Sequence, residues 1–118
     1  MNKRAFGTEG ESAARDYIVS KGGKILEMNF RRPSGEIDII AKMRKTILFI
    51  EVKRRSSLRF GRPSEAVDPR KQAHILRTAM LYLQENGLED APVRFDIIEI
   101  LPAGVNHIEN AFDATGMY

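Results

Sequence analysis

The sequence predicts an α/β fold in which helices flank a mixed β-sheet. Three observations lead there. The segments run helix, three strands, helix, two strands, an order that suits a sheet sandwiched between helices. Two isoleucine-rich runs, 36–41 and 46–53, are separated only by the short charged stretch 42–45, which marks a hairpin. Asp68-Pro69 heads a second amphipathic stretch, with aspartate as N-cap and proline at the first helical position.

The first helix is expected over about 8–21, where Ala13, Ala14, Tyr17 and Ile18 recur at helical spacing and form an inward stripe; its start could also lie near Lys3. Gly22-Gly23 stops it, because glycine accepts the left-handed conformation at a helix end. A weakly patterned strand over 24–29 leads into a turn, Arg31-Arg32-Pro33-Ser34-Gly35. The hairpin follows. Residues 54–68 show little periodicity, contain Ser56, Ser57, Gly61 and Pro63, and read as a mobile basic loop. In the second helix Ala73, Leu76, Met80 and Leu83 form the expected apolar stripe, and Gly87 ends it. A strand over 93–101 alternates around Phe95, Ile97 and Ile98, and 107–112 forms a short edge strand.

With 118 residues, the chain is expected to form one domain over 1–118. The absence of cysteine excludes disulfides and thiolate chemistry. Apolar runs such as 47–50 fall far short of the roughly 20 residues that span a bilayer. The start MNKRAFGTEGES is basic but has no apolar segment behind it, so no signal peptide is expected. A cytoplasmic protein without membrane partners is the simplest expectation. The charge is unevenly placed: 53–77 carries eight basic and two acidic residues, whereas 78–118 carries one basic and seven acidic. A concentrated basic middle suits a polyanion partner, and equally a solvated loop.

The strands supply the candidate chemistry. Side chains alternate along a strand, so Glu36, Asp38 and Ile40 should point one way and Ile37 and Ile39 the other. Phe49, Glu51 and Lys53 should share a face opposite Leu48, Ile50 and Val52. Hairpin pairing then sets Asp38 beside Glu51, with Lys53 one pleat further on. Two adjacent carboxylates repel, and a cation resolves the conflict. Mg²⁺ suits such a pair, because it takes one or two carboxylates plus waters and phosphate oxygens. The lysine could orient or deprotonate a water, or stabilise charge building on the phosphate.

Gly35-Glu36-Ile37-Asp38 followed by Phe49-Ile50-Glu51-Val52-Lys53-Arg54 resembles the PD-(D/E)xK nuclease superfamily, whose fold is the restriction-endonuclease-like three-layer sandwich. More narrowly, the chain resembles the bacterial YraN-like family, similar in layout to archaeal Holliday junction resolvases. Gly7-Thr8-Glu9-Gly10-Glu11 with Ala14 and Tyr17, Phe60-Gly61, Lys71, Arg94-Phe95-Asp96 and Asn110-Ala111-Phe112 extend the likeness over nearly the whole chain. The proline that precedes the superfamily's aspartate is replaced by Ile37. The resemblance implies that Asp38 and Glu51 hold metal, Mg²⁺ or Mn²⁺, that Lys53 is catalytic, and that Glu11 is the helix-borne additional acid. It implies hydrolysis of phosphodiester bonds in branched or structured DNA, and a homodimer is compatible with it because two strands must be cut.

Several residues carry two readings. Thr8 and Glu11 also fit a capping box, in which Glu11 reaches back to the start of the helix. Glu36 is either an outer group of the site or an exposed residue at the strand entry. Lys71 and Gln72 either approach a phosphate or the site's water, or lie on a solvated face. Arg54, Arg55, Arg59 and Arg62 are candidate phosphate contacts, and Phe60 either stacks on a base or anchors its loop. His74 lacks partners at metal spacing, so no zinc site is expected. A structural salt bridge is expected for Asp96, and His107 has no assigned role. Two other functions compete with the enzyme: a nucleic-acid-binding module without catalysis, and an interaction protein that docks through its acidic C-terminal third.

Overall fold

Helix α1 (Lys3–Ser20) begins five residues before Thr8, so Thr8 lies inside the helix and the capping-box reading of Thr8 and Glu11 is overturned. The computed structural model describes residues 3–55 and 67–113. Gly22 (φ 91°) ends α1: its amide donates to Val19 O at 3.0 Å and that of Gly23 to Ile18 O at 2.9 Å, capturing carbonyls that a helix end strands.

The sheet contains β1 (Lys24–Arg32), β2 (Gly35–Met43), β3 (Thr46–Arg54), β4 (Val93–Leu101) and β5 (Gly104–Phe112), in that spatial order. All neighbours are antiparallel except β3 and β4, which run parallel from Ile47↔Val93 to Arg54↔Ile100. A parallel pair needs a crossover connection, and α2 (Pro69–Glu85) lies on it. The strands outrun their sequence signals. The first continues through Arg32 to a two-residue turn at Pro33 and Ser34, and the last starts at Gly104.

Each sheet face packs on one helix, which makes the three-layer α/β sandwich the sequence predicts. Ile40, Ile47, Phe49, Phe95 and Ile97 meet Ile75, Leu76, Ala79 and Tyr82 of α2. Ile39, Ala41, Leu48, Ile50 and Ile98 meet Ala14 and Ile18 of α1. The buried line of α2 is displaced from the expected stripe: Ile75, Ala79 and Tyr82 lead it, and Met80 is 51% exposed. The expected stripe followed one margin of the apolar arc, whose centre lies a residue away. Among the described residues no helix is long and apolar enough to cross a membrane.

Strict alternation fails on β2 between Ile37 and Ile39. Ile37 belongs to the α2-side core and Ile39 to the α1-side core, although they are two apart. Their partners on β1, Phe30 and Met28, divide the same way, and Asn29 between them has φ 54°, a left-handed conformation that asparagine tolerates. Both strands therefore turn over together at Asn29 and Asp38. The expectation that Ile37 and Ile39 share a face is corrected here.

A second ionic cluster ties β4 to β5 and α1. Asp96 is fully buried and accepts two hydrogen bonds from Arg94 at 2.9 Å and one from the Asn110 amide at 2.9 Å. His107 Nε2 lies 2.7 Å from Asp96 Oδ2, and His107 Nδ1 lies 3.1 Å from the Tyr17 hydroxyl. A neutral imidazole satisfies both contacts, with Nε2–H donating to Asp96 and Nδ1 accepting from Tyr17. Asp96 is thus a structural salt bridge, as its sequence context predicts, and His107 joins it to the helix.

Candidate metal centre where β2 and β3 part

Pairing between β2 and β3 runs from Met43↔Thr46 to Ile39↔Ile50 and ends there. One further step of that register would set Asp38 against Glu51. Instead, Asp38 Oδ2 accepts the Val52 amide at 2.8 Å. A side-chain carboxylate replaces a ladder carbonyl, so the strands separate without leaving that amide unpaired. The separation opens a cleft floored by the two acids.

Glu51 is 7% exposed and its Oε1 meets two ammonium groups, Lys71 Nζ at 2.6 Å and Lys53 Nζ at 3.4 Å. Lys53 arrives by strand alternation. Lys71 arrives from the first turn of α2, which is fixed by the expected N-cap: Asp68 Oδ1 accepts the Lys71 amide at 2.8 Å, with Pro69 at the helix start.

The charges are mutually strained. Burial pushes the Asp38 carboxyl up to about 7, and the Glu51 charge adds to this; the Val52 amide opposes the rise, while Glu11 and Glu36 reinforce it. Burial also pushes Lys53 below its ordinary value, helped by the adjacent Lys71 and only partly offset by Glu51. Burial alone would lower Lys71 too, but its hydrogen bond to Glu51 and the charges of Glu51 and Asp38 hold it above the ordinary value. The site thus disfavours the charge on Lys53 and favours that on Lys71.

The cleft is a cavity of about 450 Å³, between Glu36, Asp38 and Glu51 on the sheet and Lys71, His74 and Ile75 on α2, closed at one end by Ser34 and Gly35. Gly35 holds that end. Its φ of 150° disfavours any side chain, and a Cβ there would lie 3.3 Å from the Thr78 hydroxyl and 3.4 Å from His74 Cβ. Gly35→Ala is expected to cost about 1–3 kcal/mol and to push α2 off the hairpin. A urea midpoint equal to wild type would contradict this.

The structure brings together Asp38, Glu51, Lys53 and Lys71. Glu36 lines the same cavity while pairing with Arg31 at 3.1 Å, and Glu11 is near enough for its charge to act on Asp38. Three other candidates lie elsewhere. Gln72 donates to Val67 O at 2.8 Å and lines a different groove, against β5. Arg55 turns inward to an ion pair with the fully buried Glu99, away from a phosphate-facing position. Arg54 is exposed and pairs with Glu9 of α1 at 3.2 Å. Arg59, Arg62, Phe60 and most of the expected loop lie outside the described residues. His74 was missed as a cavity residue. Its signal in the sequence is the spacing Lys71, His74, Ile75, which puts three side chains on one face of a helix whose start is fixed by Asp68.

Asp38 and Glu51 are the two acids of the cavity that could hold a metal, and the Glu51 charge raises the cost of ionising Asp38. No group of three or more His, Cys, Asp or Glu side chains that could hold a metal ion occurs among the described residues. An ion held by this pair would have to complete its shell with water or phosphate oxygens.

Residues 10–100, which include every side chain of the cleft, match the model of the Uncharacterised protein family UPF0102. The chain belongs to this family. It is the YraN-like family to which the motifs pointed. The UPF0102 protein of Clostridioides difficile (strain 630) is 49% identical over 114 residues, covering 95% of this chain and 100% of the relative. A UPF0102 protein of Thermodesulfovibrio yellowstonii is 50% identical over 112 residues, covering 95% and 99%. That of Caldanaerobacter subterraneus is 45% identical over 119 residues, covering 95% and 98%. This UPF0102 chain therefore matches its relatives over nearly their full length.

Proposed function

We propose that this UPF0102 protein is a divalent-metal-dependent endonuclease that hydrolyses phosphodiester bonds in branched or structured DNA. The observation that carries the reading is the pair of carboxylates, half-buried Asp38 and buried Glu51, at the strand separation with Lys53 beside Glu51. The likeness to the PD-(D/E)xK nucleases and to Holliday junction resolvases supports the reaction and substrate class, and the net +6 charge of 53–77 supports a polyanionic partner.

Asp38 and Glu51 would hold Mg²⁺ or Mn²⁺, and the ion would supply neutralisation of phosphoryl oxygens and acidification of a water. Lys53, whose charge is disfavoured by burial and by Lys71, accepts a proton from the attacking water as the neutral amine, or as the ammonium steadies charge on the phosphoryl group. Water oxygen bonds to phosphorus as the bond to the departing sugar oxygen breaks. Glu36, which lines the cleft, orients water, and the charge of Glu11 acts on Asp38 from α1.

A second reading is a nucleic-acid-binding module on the same fold. It is favoured by one contact: Glu51 is already neutralised by two lysines. Cleavage of a four-way DNA junction with Mg²⁺ or Mn²⁺ separates the readings. The enzyme predicts cutting that falls about a hundredfold or more in Lys53→Met, a loss typical of removing a proton-transfer group, and disappears in Asp38→Asn, with junction binding retained in both. Salt-sensitive binding by wild type with no cut supports the module.

A further inference from the structure

Lys71 and a metal ion compete for the same charge. Both ammonium contacts of Glu51 fall on Oε1, and that of Lys71 is the shorter, 2.6 Å against 3.4 Å. The Lys71 side chain is 41% exposed, against 25% for Lys53, and it projects from a helix, so it has room to swing. Lys53 lies on β3, two residues from Glu51. Asp38 also attracts Lys71, which therefore serves as the positive charge shared by the two acids.

Resting on the metal-centre reading above, we propose that Lys71 is a built-in counter-ion that a divalent cation must displace from Glu51. Once displaced, it turns to the substrate phosphate at the cleft mouth, so that cation and phosphodiester load cooperatively. The logic is electrostatic. A dication on the Glu51 carboxylate repels both ammonium groups gathered there, so binding of the ion favours departure of the more exposed lysine. The freed ammonium, whose backbone is held by Asp68 at the helix start, stays in the cavity and is available to a phosphodiester. The phosphodiester in turn draws Lys71 off Glu51 and eases entry of the ion. By reciprocity, each ligand tightens the other by the same factor.

The test is Mn²⁺ binding, followed by electron paramagnetic resonance of the free ion, with and without a dinucleoside monophosphate that carries one phosphodiester. Lys71→Met is expected to bind Mn²⁺ about tenfold tighter than wild type, the scale of one charge-assisted hydrogen bond. Lys71→Arg, which keeps the charge, should stay near wild type. The dinucleotide should tighten Mn²⁺ binding severalfold in wild type and not in Lys71→Met. Equal or weaker Mn²⁺ binding by Lys71→Met, at a site that Asp38→Asn abolishes, overturns the exchange while leaving the metal centre intact. No Mn²⁺ site sensitive to Asp38→Asn in wild type overturns both.

Discussion

Asp96→Ala is expected to lower the stability of the fold by about 3–5 kcal/mol, the usual cost of removing one partner from a buried charged cluster. Asp96 is fully buried and gathers Arg94, His107 and the Asn110 amide. Its loss leaves His107 and the Asn110 amide without this acceptor and Arg94 with only the longer contact to Glu109 at 3.7 Å, and His107 then loses the contact that orients it toward Tyr17. For a domain whose total stability is of the order of 5–15 kcal/mol, this is a large fraction. Tyr17→Phe removes only the outer hydrogen bond and should cost about 1 kcal/mol. Urea unfolding followed by far-ultraviolet circular dichroism ranks the two; comparable losses would mean that Asp96 is not the hub. The cluster also fixes behaviour in acid. Burial drives the Asp96 carboxyl up, but the hydrogen bonds from His107, Arg94 and Asn110 together hold it below its ordinary value. Its stabilisation is complete above the unfolded value near 3.8 and is lost as pH falls through the lower folded value.

Asp38 works in the opposite sense. Its folded carboxyl titrates at about 7 against an ordinary 3.8, so between those values the folded chain keeps a proton that the unfolded chain has released. Stability therefore falls as pH rises through that window, by up to about 4 kcal/mol for a shift of this size. Asp38→Asn can still accept the Val52 amide through its side-chain oxygen, yet it carries no charge. In EDTA the variant should be the more stable protein at pH 8, with the difference shrinking toward pH 4.5. Parallel stability curves for the two proteins across this range would show that Asp38 ionises at no cost, and the charge conflict in the cleft would have to be withdrawn. The same carboxylate that marks the candidate site is thus expected to weaken the fold that carries it.

Much of this was legible from local pattern. The isoleucine-rich hairpin and the alternation along 46–53 placed Glu51 and Lys53 on one face of the sheet, and Asp68-Pro69 placed the start of α2, because strand and cap geometry are properties of neighbouring residues. The nearness of Asp38 to Glu51 also followed from pairing, although their actual relation, with Asp38 bonded to the Val52 amide, depends on β2 leaving β3. That departure goes with the left-handed Asn29 on another strand, which no pattern within 36–41 encodes. Lys71 and Arg55 could not be assigned from the sequence for a related reason. A long cationic side chain takes whichever acid the tertiary fold offers, here Glu51 for one and Glu99 for the other. His107 and Asp96 are eleven residues apart across a hairpin whose extent was underestimated, so their contact with Tyr17 had no local signature.

The parallel register of β3 against β4 has a consequence for the order of assembly. The meander β1–β2–β3 and the hairpin β4–β5 are each built from neighbours in the chain, whereas joining them requires closure of everything between Arg54 and Val93. Short-range pairings form sooner than those that must first close a long loop. Asp38, Glu51 and Lys53 therefore belong to the early-forming portion, and Lys71 reaches them when α2 packs on that meander. Until then the acids have no helix-borne cation.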